Sequence, residues 1–239
     1  MIVLHTFGKQ HDMIDPSPFV AKAHTLLRLA GLPYETIAAD IRKAPRGKLP
    51  VIVDDGELIA DSTFIRFHIE KKYGHDFDAG LDARDRAISW SVEKMLEDHL
   101  VWLLTHERWT YRPDYESGPA HYFKGMPAIA RPLVEIYVNR KLARARYGQG
   151  VSRLPASERE ELSRRGLESI ATILADKPFL MGDAPCGADA TLFAFMNVLL
   201  CEAFNAPSVQ QARSHANLVA YSARFAAQYF PDYKQKRGP

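Results

Sequence analysis

Cysteine is scarce in this chain. Cys186 and Cys201 are the only two among 239 residues, and both lie late. So few exclude a disulfide framework and point to a reducing, cytoplasmic setting. No segment nears the roughly 20 uninterrupted apolar residues that a spanning helix needs, so no membrane span is expected. Residues 2–7 already look like a strand, and no charged, apolar leader is expected ahead of them. Excess charge of one sign is also missing: 31 Lys and Arg against 29 Asp and Glu leave a net +2. That balance gives no general pull toward nucleic acid or a lipid surface, and no nucleic-acid partner is expected. There is no internal repeat and no low-complexity tract. What remains is an ordinary globular composition, 46% hydrophobic and 25% charged. The chain is long enough for one large core or two modest ones.

The first part of the chain punctuates itself clearly. Residues 2–7 read as a buried strand and residues 8–15 as a loop. Ser17-Pro18 has the form of a helix start, Ser at the N-cap and Pro at the first helical position. Val20, Ala23, Leu26, Leu27 and Ala30 follow at helical spacing until Gly31 and Pro33 stop the run. Residues 34–39 read as a second strand, which makes a βαβ unit with strands one and two parallel. Residues 49–53 and 57–60 read as two more strands joined by Asp54-Asp55-Gly56. Asp61-Ser62 then caps a helix over 63–73, closed by Gly74. After a linker at 75–81 the strand signals vanish. Helical patterns follow at 83–109, 127–147, 157–175, 188–204 and 217–229, with an aromatic, polar excursion over 111–125. Strands followed by helices predict two domains, 1–76 and 82–239.

Three local patterns carry chemistry. Ser17-Pro18-Phe19 lies between the first strand and the first helix, Lys48-Leu49-Pro50 precedes the third strand, and Asp61-Ser62 opens the next helix. Together with the β-α-β-β-β-α order ahead of a helical bundle, they resemble the glutathione S-transferase superfamily. The resemblance covers nearly the whole chain. It is narrowest to the metaxin and failed-axon-connections branch, through residues 26–35, Gly47-Lys48-Leu49-Pro50 and 59–63. The fold implied is an α/β thioredoxin-like domain followed by an all-α domain. The resemblance further implies glutathione as co-substrate with no tightly bound cofactor, a small hydrophobic electrophile as second substrate, and a homodimer. It implies that Ser17 touches the glutathione sulfur and that Leu49, before a cis Pro50, aligns the peptide through its backbone. It also implies that Asp61 and Ser62 hold the γ-glutamyl end. That branch includes members regarded as scaffolds, so a non-catalytic adaptor or a ligand-storage protein stands as the alternative.

The residues themselves suit this chemistry. A thiol reacts as its thiolate, and a helix N-terminus with a hydroxyl at its cap favours the charged form. Ser62 with backbone N–H groups makes an anion site, Asp61 can pair with an ammonium, and Lys48 can reach a carboxylate. Each also has a plainer use: Ser17 and Asp61-Ser62 as caps, Lys48 as a solvated lysine. Arg42, Lys43 and Arg46 read as a solvated loop or as a second basic cluster. Thr6 and His11 compete with Ser17 for the sulfur, because residues 8–16 form a long loop for this family. Without a cysteine before Cys186, disulfide exchange through a first-domain cysteine is excluded, and without a tyrosine before Tyr34 a tyrosine-type contact is not expected.

Other clusters have structural readings first. His99 and His106, seven apart on one predicted helix, are too far apart for a two-ligand metal site, and no metal is expected. Cys186 stands where the family has Ser or Thr before Asp189, which predicts a weaker capping box. Cys201 reads as core. Trp90, Trp102, Trp109, Tyr111, Tyr115, Tyr122 and Phe123 read either as core or as an electrophile pocket. Arg140, Lys141, Arg144 and Arg146 suit a helix C-terminus or an anionic partner. Residues 234–237 form a basic tail that reads as frayed.

Overall fold

The computed structural model describes residues 1–232, and the basic tail at 234–237 lies outside the described residues. Four strands, β1 (Ile2–Thr6), β2 (Tyr34–Ala38), β3 (Val51–Asp54) and β4 (Glu57–Ala60), form one sheet in the order β2-β1-β3-β4. β1 pairs with β2 in parallel, as the βαβ reading requires, and with β3 antiparallel. The sheet packs against α1 (Pro18–Leu29) and α2 (Ser62–Tyr73). Ile2, Leu4, Ile52 and Ile59 meet Ala23, Leu26 and Leu27 of α1 and Ile65 and Ile69 of α2 in one core. α2 closes at Gly74, whose φ of 66° is a left-handed conformation that costs glycine nothing.

From residue 83 the elements are helical. α3 (Ala83–Lys94) runs through a π-helical stretch (Met95–Leu100) into α4 (Val101–Thr110). α5 (Arg112–Ser117) and a 3-10 turn (Pro119–Phe123) follow, then α6 (Arg131–Gln149), α7 (Ala156–Leu174), α8 (Gly187–Leu199), α9 (Pro207–Ser214) and α10 (Ala216–Tyr229). Every residue of α8 is buried, and its few polar side chains, Asp189, Thr191 and Asn197, are hydrogen-bonded. Its capping box is complete: the Cys186 N–H donates to Asp189 Oδ2 at 2.9 Å, and the Cys186 side chain accepts from the backbone of Asp189. Asp189 also accepts from Leu180 N and from the Tyr221 hydroxyl.

Two expectations need correction. The helix expected over 188–204 stops at Leu199, and the separate α9 was not foreseen. The buried Cys201, Phe204 and Ala206 continue the apolar run, but their backbone is held in irregular form. Asp114 accepts from Asn205 N and Ala206 N, and Arg213 donates to the Cys201 and Phe204 carbonyls. The helix expected from 127 begins at Arg131. The linker at 75–81 has no helix or strand and is packed against both halves. Phe77 and Asp78 are buried, and Asp78 accepts from Gly187 N at the start of α8 and from Arg66 of α2.

A buried ionic network joins the two halves. Lys22 of α1 donates to Glu93 at 2.9 Å and to Glu97 at 2.5 Å. Arg66 donates to Glu93 at 2.7 Å and to Asp78 at 2.6 Å. Glu97 lies in the π-helical stretch, where it also accepts from Lys94 of α3 and Thr191 of α8. Charges taken out of water need such multiple pairing to persist.

Candidate functional site

One end of the sheet collects the candidate residues. His5 of β1 is opposite Val51 of β3, and Val51 is opposite Ala60 of β4. The chain leaves β1, enters β3 and leaves β4 at this same end. Ser17, Leu49-Pro50 and Asp61-Ser62 are the segments at those three points. Leu49 packs with Val20 in the first turn of α1, and the Asp61 N–H donates to the Pro50 carbonyl at 3.1 Å. The Leu49–Pro50 peptide is cis. The N-termini of α1 and α2 therefore converge here, and neither first turn carries an acidic residue. Such a place favours an anion.

Ser17 is half-buried, in extended conformation at the N-cap of α1. Its Oγ accepts from Val20 N at 3.5 Å, which uses a lone pair and leaves the O–H free to donate. Asp61 caps α2 by accepting from Thr63 N at 2.9 Å. Its φ of 87° is uncommon for a residue with a side chain, and backbone strain of this kind concentrates at functional sites. The Ser62 hydroxyl is buried and has no hydrogen-bond partner among the described residues. Lys48 is exposed beside Leu49. Of the basic loop, Arg46 turns toward the site, 3.9 Å from Asp61 and over the Phe64 ring, whereas Arg42 folds back onto Asp40.

The competitors of Ser17 are otherwise engaged. The Thr6 hydroxyl donates to the Ile37 carbonyl, and His11 reaches across to the Ser117 carbonyl at 2.6 Å. The long loop folds inward: Met13, Ile14 and Asp15 are buried, and Ile14 N donates to Asn197 of α8. The aromatic residues separate. Tyr122 lies 6.0 Å from Phe7, at the site end. Trp109 and Tyr115 line a separate cavity of about 560 Å³ with Arg131, Glu135 and Asn139. Trp90 is exposed and stacks on Phe67, and Phe123 is core. His106 bonds Ser152, and His99 lines a second cavity with Trp102.

Asp15 was missed by the sequence reading, although it stands only two residues before Ser17. It is fully buried and accepts from Phe7 N at 3.0 Å and Ser17 N at 2.9 Å, tying the end of β1 to the start of α1. Burial pushes its carboxyl from 3.8 up to about 7. The folded state then keeps a proton that the unfolded chain releases, so stability falls as pH rises from about 4 to 7. Asp15→Asn is expected to remove that slope. Urea midpoints of variant and wild type should shift in favour of the variant between about pH 5 and 8. Parallel curves would show that Asp15 does not titrate there. Lys22, Glu93 and Glu97 were also missed. Their network reaches the site through Thr63, whose hydroxyl meets Glu97 at 3.4 Å and Lys94 at 3.1 Å.

The geometry has relatives. Family models described as "Glutathione S-transferase N-terminal domain" and "Glutathione S-transferase, C-terminal domain" match residues 18–115 and 164–225. The chain is 29% identical to Failed axon connections of Drosophila melanogaster over 98% of its own length, and spans 59% of that relative. It is 28% identical to isoprene-epoxide–glutathione S-transferase of Rhodococcus sp. (strain AD45), covering 96% of this chain and 99% of the relative. The beta-etherase LigF of Sphingobium sp. strain SYK-6 superposes with a TM-score of 0.70 at 18% identity, over 99% of each chain. At that identity the superposition speaks for the fold alone. With both halves of the chain matched by its domains, and its two-part fold in place, this protein belongs to the glutathione S-transferase superfamily.

Proposed function

We propose that this protein binds glutathione at the end of the sheet where α1 and α2 begin, and transfers or conjugates its thiol to a small hydrophobic electrophile. The observation that carries the reading is the convergence of two helix N-termini beside Leu49-Pro50, with no acidic residue in the first turn of either and Asp61 at the cap of α2. One N-terminus suits a thiolate and the other a carboxylate. Ser17 donates its O–H to the sulfur and makes the anion less costly. Leu49 aligns the peptide by backbone hydrogen bonds. Asp61 pairs with the ammonium, the start of α2 at Ser62 takes a carboxylate, and Lys48 takes the other as a flexible point charge. The electrophile lies on the side of Phe7 and Tyr122. The full-length relative from Rhodococcus, named as a glutathione S-transferase, supports the same reading.

Calorimetry with glutathione is the direct test. Binding in the millimolar range or tighter, with a thiolate absorbance that appears below the usual thiol pKa near 8.5, is the expected result. Absence of binding at millimolar glutathione would sink the reading and leave the non-catalytic adaptor. Binding with an unshifted thiol would leave only ligand storage.

The same reading includes a homodimer. Phe64, Phe67 and Trp90 form an exposed aromatic cluster on α2 and α3, Phe67 and Trp90 stacked at 6.1 Å. Exposed aromatic clusters are the usual centres of protein interfaces. Sedimentation should give a dimer that Phe67→Glu converts to monomer. A monomeric wild type at micromolar concentration would remove the dimer from the proposal.

A further inference from the structure

Helix α6 carries an apolar and basic face that no other element covers. Leu133 is 70% exposed and Tyr137 66%, Ile136 and Tyr147 are also exposed, and Ile129, in the turn just before the helix, is 90% exposed. Positions 133, 136, 137, 140, 144 and 147 fall on one side of α6. Arg140 and Arg144 therefore share the face with these apolar residues, and Lys141 flanks it. Among the described residues, no carboxylate pairs with any of these three cations. The only acidic residue of α6, Glu135, is turned the other way and bonds the Tyr115 hydroxyl. Arg146, expected with the other cations, is instead buried on the inner side.

The two family domains match residues 18–115 and 164–225, and α6 lies between them, in neither. A single large apolar side chain on a surface needs no explanation, but a contiguous group on one helix does.

We propose that this face of α6 docks the protein on an anionic lipid surface. Charge complementarity selects that occupant. Aliphatic and tyrosine side chains set among Lys and Arg, with no acid on the same face, suit the boundary between headgroups and acyl chains. The helix is about 28 Å long and lies along the protein surface, so it would lie in the plane of the interface rather than cross it. A second copy of the chain fits badly. A two-fold contact would set the basic half against itself or against the apolar half, with no carboxylate to answer it.

Co-sedimentation of the full chain with vesicles tests this. Phosphatidylcholine vesicles containing about one third phosphatidylserine should carry the protein down at low salt, and pure phosphatidylcholine should not. Arg140→Glu with Arg144→Glu is expected to lower the bound-to-free ratio at least about tenfold. Leu133→Glu should do the same, because it puts a charge at the centre of the apolar contact. These positions are exposed, so the variants should keep the wild-type melting temperature. Arg164→Glu with Arg165→Glu, on α7, should bind the vesicles like the wild type. The proposal is overturned if the wild type ignores anionic vesicles, which would leave an acidic protein as the occupant. It is equally overturned if the α6 variants bind as well as the wild type, or if Leu133→Glu instead abolishes self-association.

Discussion

Replacing Ser17 with alanine is expected to raise the pKa of bound glutathione thiol by about one to two units and to slow conjugation about 10- to 100-fold. A hydrogen bond to an ionised group contributes about 1.5–3 kcal/mol, and each pKa unit corresponds to about 1.4 kcal/mol. The Ser17 O–H is free to donate, because the cap uses an oxygen lone pair toward Val20 N. Helix dipole and backbone N–H groups remain in the variant, so activity should fall rather than vanish. Ser17→Thr keeps the hydroxyl and should recover most of the rate. The alanine variant also loses a cap, at about 1 kcal/mol of stability, so its folding has to be checked alongside. Thiolate absorbance against pH, with kcat/KM for a model electrophile, gives both readouts. An alanine variant with unchanged titration and unchanged rate would remove Ser17 from the chemistry and point back to the helix terminus alone.

The largest loss of stability is expected for Lys22→Met. The Lys22 ammonium is buried between Glu93 and Glu97, and its side chain is 1% exposed. Without it two buried carboxylates face each other with less cation to share. Breaking a buried ion pair from one side costs about 3–5 kcal/mol. For a chain of this size that corresponds to a fall of roughly 6–20 °C in melting temperature. Adding Glu93→Gln and Glu97→Gln removes the stranded charge and should restore part of the loss. The exposed pair of Arg42 and Asp40 is the contrast: Arg42→Ala should leave the melting temperature essentially unchanged, although its hydrogen bonds are as short. A Lys22→Met protein that melts within about 3 °C of the wild type would show that the network is dispensable. The same variant is expected to loosen the start of α2, because Glu97 links Lys22 to Thr63.

Much of the N-terminal half was legible because its signals are local. Ser17-Pro18 starts a helix wherever the following residues allow one, and the alternation of β1 buries Ile2, Leu4 and Thr6 on one side. The parallel pairing of β1 and β2 follows from chain handedness and the helix between them. The cis peptide at Leu49–Pro50 came from the family resemblance and the cap at Asp61 from the local pattern, and the structure has both. The helical half was legible in outline only. α8 was expected to run on to 204 because Cys201 and Phe204 look like more core, yet Asp114 and Arg213, distant in sequence, take the backbone bonds that a helix would need. Nothing in the local pattern announces the π-helical stretch at Met95–Leu100.

The sequence by itself determined the order of strands and helices in the N-terminal half, the helical character of the rest and the three segments that carry the candidate chemistry. These depend on side-chain size, backbone freedom and caps within a few residues of each other. Tertiary structure alone decided that Asp15 is buried beneath Ser17, that Lys22 and Arg66 meet Glu93, and that the face of α6 is left uncovered. Those outcomes depend on which distant groups share a low-dielectric interior and which apolar surface finds a partner. That is a property of packing in three dimensions, to which spacing along the chain is blind.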